Sequence, residues 1–462
     1  MRRGVLALLA LLWACDDGDG GRDQRLSAEA LRDPAACADC HPDHYRQWSG
    51  SMHAYAGVDP VFRAMEAKGQ AETGGALGDF CVQCHAPLAH RLGLARTAAD
   101  LDDLPAHLGG VTCAFCHQVD AVEGSHNNPL RLALDGVMRG PFADPRPNPA
   151  HPSAYSPLHD RQELVSSDLC GTCHDIVNGD GVHLERTYAE WQASLYSSDD
   201  PLQQNTCGRC HMPGRNGVAA DRPGVPLRRV HDHGMAGVDV ALTDFPEREA
   251  QRAAVQRLLD GALVSELCVV ERQGGAEVEL YLENIASGHA FPSGATLDRR
   301  VWVELTADAA GERVYQSGVV PDGTPLRSLD DPDLWVPGSR GFDENGNETH
   351  DFWDVARLES DLLPAPTTLD PLAPDYVNVH VPRRYRIPSA APLERIDSRV
   401  RLRPMGLDVL DDLIGLGLLD PAIRDAMPTF TLGATALTWT REAAELRISP
   451  LSGREALCVP RL

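Results

Sequence analysis

The pattern Cys-x-x-Cys-His occurs five times in the first half of this 462-residue chain, at 37–41, 81–85, 113–117, 170–174 and 207–211. It supplies Cys37, Cys40 and His41; Cys81, Cys84 and His85; Cys113, Cys116 and His117; Cys170, Cys173 and His174; and Cys207, Cys210 and His211. This spacing lets two thiols reach the two vinyl groups on one porphyrin edge while the next His turns under the iron as proximal ligand, so it predicts five covalently attached c-type haems. Paired Cys-x-x-Cys motifs also build tetrahedral zinc sites, but zinc explains the cysteines and leaves the five trailing histidines unexplained. Disulfides in an oxidising compartment leave the same regularity unexplained.

Each iron then needs a ligand on its other face, and that ligand decides what a haem does. A His or Met there makes a closed electron carrier, whereas an open position admits a substrate. Of the chain's 18 histidines, thirteen lie outside the motifs, and ten of these fall within the haem-bearing stretch. His53, His126, His159 and His233 lead as distal ligands: His126 follows the third motif, His159 precedes the fourth and His233 stands in H-D-H-G-M after the fifth. His53 is marked by a short internal repeat, W-S-G-S-M-H at 48–53 against W-Q-A-S-L-Y at 191–196, with Tyr196 at the matching position. His90 and His289 compete for the remaining place. Met212 and Met235 offer thioether alternatives, although Met212 directly follows a proximal His and reaches the other face of that haem poorly.

The first residues read as an export signal over 1–14, with Arg2 and Arg3 ahead of a short apolar core and a small residue at Ala14. That core is too short to span a bilayer. Leu12, Trp13, Ala14 and Cys15 form a run like a bacterial lipoprotein cleavage box, with Cys15 as the lipidated first residue. Ordinary signal cleavage near the same place is the alternative. Lipidation predicts a periplasmic or cell-surface protein anchored without spanning, on a polar, Gly-rich tether over 15–35. The formal charge of −25 argues against nucleic acid or an anionic membrane surface as partner; it marks either an ordinary solvated surface or, if it has a functional meaning, a surface for a basic redox partner.

Composition divides the chain. The haem stretch, 36–240, is rich in Pro, Gly and His, and the low aromatic content of 5% fits a region whose flat apolar groups are cofactors that replace side chains as its core. Short helices are expected at the motifs and over 158–170, with turn-rich loops such as 141–152. A linker helix is expected within 241–266, over 247–264, from Pro246 and the acidic first turn. Over 267–462, alternation at Val278, Leu280 and Leu282 and at Val301, Val303 and Leu305 predicts antiparallel strands. Further strands are expected at 313–319, 376–381, 398–403 and 435–440, with a helix at 407–417. The predicted fold is α+β and multidomain: a mostly helical, loop-rich multihaem cytochrome c domain followed by an antiparallel β-sandwich-like domain. Cys268 and Cys458 remain as a disulfide between terminal strands or as two buried thiols.

The contexts C-A-D-C-H…Q-W-S-G-S-M-H (37–53), G-V-T-C-A-F-C-H (110–117), L-C-G-T-C-H (169–174), T-Y-A-E-W-Q-A-S (187–194) and C-G-R-C-H-M-P (207–213) resemble the multihaem cytochromes related to cytochrome c-554. The resemblance implies close-packed haems in a wire, mostly with two His ligands, and carries the distal role to His53 and then to His126, His159 and His233. The segment N-I-A-S-G-H-A-F-P-S-G…R-R-V-W-V-E-L (284–305) is similar to the β region that follows the haems in many bacterial multihaem cytochromes. Five motifs instead of the four of cytochrome c-554 prevent transfer of one haem arrangement.

Three functions follow. The first is an electron carrier between a donor and an acceptor redox protein. The second is a multihaem oxidoreductase with one open haem, acting on a small nitrogen or sulfur compound and drawing proton donors from residues such as Tyr196 and Arg209. No Cys-x-x-Cys-Lys variant of the kind that marks one nitrite reductase family is present. The third is a binding module built on the β region. Five covalent cofactors rank the carrier first and the binding module last.

Overall fold

The computed structural model describes residues 25–460; the expected signal peptide and Cys15 lie outside them. The first half of the described chain is a string of short helices and two-stranded ribbons. Its longest helix is Pro60–Glu72, opened by Pro at its first turn and by the Asp59 carboxylate, which accepts from the Val61 amide, a cap for one of the helix's orphan donors. The motif segments Cys113–His117 and Cys207–His211 are single helical turns whose preceding threonines, Thr112 and Thr206, accept from the amides of Phe115 and Arg209. This cap starts the turn that sets two thiols and one imidazole on neighbouring positions.

The expected helix over 158–170 is broken into a 3-10 turn, Pro157–His159, and a helix, Ser166–Gly171. The Asp160 carboxylate accepts from the Gln162 amide, a local turn that competes with helix continuation. The haem stretch also holds strand pairs that alternation did not signal, among them Gly214–Val218 with Leu227–His231. It has a side-chain core of its own, centred on Phe62, Val82, Leu88, Leu101, Phe115, Val119 and Leu130. The expectation that cofactors replace such a core is corrected: apolar side chains form one beside the motifs, each fully buried Leu or Val contributing about 2 kcal/mol.

The second half is β-rich and antiparallel. One five-stranded sheet runs His380–Pro388, Gly275–Glu283, Val264–Arg272, Glu455–Val459, Glu445–Ile448. The other runs Glu312–Ser317, Arg300–Ala309, Leu393–Arg403, Phe430–Thr431, with Leu437–Thr440 also pairing to Leu393–Arg403. Both contribute to a single core of Leu267, Val278, Leu280, Val301, Leu305, Ile396, Leu402 and Trp439. The alternating positions read from the sequence are therefore the buried faces. The expected strand over 376–381 begins instead as a 3-10 turn, Tyr376–Val379, and the strand starts at His380. Similarly, 435–440 splits into a 3-10 turn, Gly433–Thr435, and a strand, Leu437–Thr440. The expected helix at 407–417 is Leu407–Gly415.

Helix Arg248–Ala262 forms close to its expected span, and it packs on the β core through Val255 and Leu259. It also reaches back, since Gln251 donates to the Gly50 carbonyl. Cys268 and Cys458 are bonded, directly opposite one another on neighbouring strands.

Candidate functional site

Four of the five motif histidines are each set beside a further imidazole. A metal bound by imidazole nitrogen sits about 2 Å away, so two rings sharing one ion stand with centroids about 6 Å apart. Four motif histidines have such a partner. His41 and His151 are 6.2 Å apart, His174 and His53 6.3 Å, His117 and His233 6.3 Å, and His211 and His289 6.5 Å.

The other ring nitrogen shows which atom is left for a metal. His41 Nδ1 lies 2.6 Å from the Ala219 carbonyl, His117 Nδ1 2.6 Å from Arg139 and His211 Nδ1 2.7 Å from Ala236. Among the partners, His289 Nδ1 is 2.8 Å from the Ala290 carbonyl, His233 Nδ1 3.0 Å from His231 and His151 Nδ1 3.2 Å from Pro152. Donation from Nδ1 to a carbonyl fixes the tautomer that leaves Nε2 as ligand. Burial pushes His41, His53, His174 and His289 down to about 4 and His233 to about 3. All are held as neutral imidazole, the form that ligates. These residues fit haem c.

His85 differs. Its Nδ1 is 3.2 Å from the Ala56 carbonyl, but its ring neighbour is Phe62, stacked flat at 4.1 Å and 4°. No histidine ring faces it among the described residues. His90, a competitor for a distal place, is engaged instead with Asp79 at 3.0 Å.

The structure does not bring His126 to any motif histidine. It is exposed, beside His183. His159 does approach His117, with centroids 5.5 Å apart, but its Nε2 is 2.8 Å from the Cys116 carbonyl and its buried Nδ1 has no partner. His53 and His233 stand opposite motif histidines, and so does His289. His151 lies in the Pro-rich loop over 141–152, which the sequence marks only as turns. No spacing signal ties it to His41, 110 positions earlier.

The repeat has matching hydrogen bonds in its two copies. Trp48 donates to the Val111 carbonyl and Ser51 Oγ to the Trp48 carbonyl; Trp191 donates to the Asn205 carbonyl and Ser194 Oγ to the Trp191 carbonyl. Where the first copy presents His53, the second presents Tyr196, whose hydroxyl donates to the Ile285 carbonyl. That tyrosine thus braces the loop that carries His289. Arg209 is likewise occupied, donating to the Gln204 carbonyl and to Gln162.

Thiols of different motifs adjoin: Cys37 with Cys113, Cys84 with Cys173, and Cys170 with Cys207. Residues 36–118, which include three of the motifs, match the family model for cytochrome c554 and c-prime. Over that stretch the chain is similar to multihaem c-type cytochromes of the c554-like family. Its fold also resembles the crystal structure of a penta-heme cytochrome c552 from Thermochromatium tepidum, with a TM-score of 0.60 and 21% identity, over 91% of this chain and all of that one. No curated protein matches its sequence. The likeness points to haem c as cofactor, to electron transfer and to redox partners. No helix among the described residues is long and apolar enough to cross a membrane.

Proposed function

We propose that this cytochrome is an exported electron carrier with five haems c, attached through the ten motif cysteines, passing electrons between a donor and an acceptor redox protein. Four centres are bis-His, ligated by His41/His151, His117/His233, His174/His53 and His211/His289. The observation that carries this reading is the four facing ring pairs, three of them with both rings' Nδ1 turned to carbonyls. Haem bound at the motifs supplies a one-electron couple. The chain's residues supply neutral ligands, burial and close spacing. The thiol contacts link the first motif to the third, the second to the fourth and the fourth to the fifth, and Cys116 lies within electrostatic reach of Cys173, which joins third to fourth. Motif four is the junction of this network.

The domain reading is a signal peptide over 1–14, a tether over 15–35, a haem domain over 36–240, a linker helix within 241–266 and a β-sandwich-like domain over 267–462. Lipidation at Cys15 would hold the protein at a bacterial membrane, facing the periplasm or the cell surface. Its net charge of −25 suits a basic partner, so the reduction rate is expected to fall as ionic strength rises.

A second reading rests on His85. With Phe62 as its ring neighbour and no facing imidazole among the described residues, the second centre would have an open position, as an oxidoreductase for a small nitrogen or sulfur compound would require. Low-temperature electron paramagnetic resonance of the haem-loaded protein, quantified against total haem, tests both. Four low-spin centres and one high-spin centre are expected, with the high-spin signal altered in His85→Ala and the four low-spin signals unchanged. If that signal shifts on adding nitrite or hydroxylamine, the oxidoreductase reading gains. Two or more high-spin centres would refute the ligand pairs.

A further inference from the structure

Nine histidines are named above as iron ligands, and seven of them place Nδ1 against a backbone carbonyl. Both exceptions fall at one centre. His53 Nδ1 faces the thioether of Met235, 2.9 Å from Sδ. His174, opposite it, makes no hydrogen bond to a carbonyl among the described residues. A carbonyl draws the Nδ1 proton and makes the ring a stronger donor to a metal, which favours the higher oxidation state. A thioether is a weak acceptor and does this far less.

Met235 is held for this place. It adopts φ +44°, a left-handed conformation that a non-Gly residue keeps only when its surroundings impose it. The segment around it serves three centres. The His231 carbonyl takes His233 Nδ1, Met235 Sδ takes His53 Nδ1, and the Ala236 carbonyl takes His211 Nδ1.

We infer that Met235 sets the potential of the fourth haem, making the His174/His53 centre the most oxidising of the bis-His centres. Met235 acts through His53 and is a positioning residue, not an iron ligand. Because motif four adjoins motifs two, three and five, this choice of acceptor places the electron sink at the junction, where electrons entering at either end collect. The inference rests on the ligand pairs proposed above.

The test is a potentiometric titration of the haem-loaded protein followed by electron paramagnetic resonance, with His53→Ala used to identify the signal of this centre. Met235→Gln replaces the thioether with an amide oxygen of similar reach. It is expected to make this haem harder to reduce, raising its oxidised-to-reduced ratio at fixed poise about tenfold, about 59 mV for one electron. Met235→Leu conserves volume without offering an acceptor and is expected to move the ratio by well under half of that. The other three low-spin signals should keep their midpoints in both variants.

If the Gln variant titrates like the parent while His53→Ala does create a high-spin haem, the pairing stands and the role of Met235 falls. The inference also falls if this centre in the parent titrates below the other low-spin centres. If His53→Ala changes no spin state, the pairing fails and takes the inference with it. A methionine-to-iron charge-transfer band that disappears in Met235→Leu would make Met235 a ligand and overturn the inference as well.

Discussion

Replacing both cysteines of the Cys268–Cys458 bridge with alanine tests how the β region is held. The bond closes a loop with a sequence separation of 190 residues, its two residues are fully buried, and they face each other across neighbouring strands. In the chain-entropy account, a loop of this length costs the unfolded chain about 5 kcal/mol, and measured effects of removing native bridges run from about 2 to 5 kcal/mol. With a urea slope of about 2 to 3 kcal/mol per molar, the midpoint should fall by about 1 to 2 M. Far-ultraviolet circular dichroism follows the strands, and haem absorption recorded in parallel should be unchanged in the absence of urea. The parent protein under strong reductant should move toward the variant's midpoint. A variant that unfolds at the parent's midpoint would refute the argument, because it would mean that the Glu455–Val459 strand is held by its ladder and by Trp439, which donates to Leu457, without help from the bridge.

Alanine at His53, His151, His233 or His289 should each turn one low-spin haem high-spin, while His126→Ala should leave the electron paramagnetic resonance spectrum unchanged. Burial raises the Asp59 carboxyl from 3.8 to about 6, against the opposing Val61 amide bond. The folded state thus binds this proton more tightly than the unfolded chain, and the stability it contributes is full below about pH 4 and lost as pH climbs through about 6. Asp59→Asn should flatten that part of a urea-midpoint profile, and a profile identical to the parent's would count against it. Lys68, the chain's one lysine, is buried, with Nζ 2.8 Å from both Asp351 and Asp412. Lys68→Met should cost about 3 kcal/mol in urea unfolding by leaving the largely buried Asp351 carboxylate with only His350 Nδ1, 3.9 Å away, as its ion-pair neighbour among the described residues.

The two kinds of histidine ligand differ in how far a reader of the sequence can see them. A proximal His is four positions from its first Cys, and a single helical turn delivers both, so local chemistry suffices. A distal His is chosen by folding. His151, His233 and His289 come from a loop, a ribbon end and the β region, each remote from its partner. Proximity in sequence misled for His126 and pointed to His159, which came near His117 with its Nε2 already engaged. The position of His53 was marked in advance by a repeat whose serine cap and tryptophan anchor occur twice, and the structure sets its ring 6.3 Å from His174.

The long strands of the β core announced themselves through period-two alternation, whereas the short ribbons among the motifs, such as Gly214–Val218 with its mostly exposed positions, carry no such pattern. The helix over 158–170 failed for a related reason, because one aspartate turn outweighs a weak periodicity. By itself the sequence determined the five Cys-x-x-Cys-His motifs proposed to hold haem and the β character of the second half, since each depends on residues a few positions apart. Tertiary structure alone decided the facing imidazoles, the Phe62 ring stacked on His85, the thioether against His53 and the Cys268–Cys458 bond. Each of these is a contact between segments far apart in the chain, and only the packed fold specifies which side chain arrives.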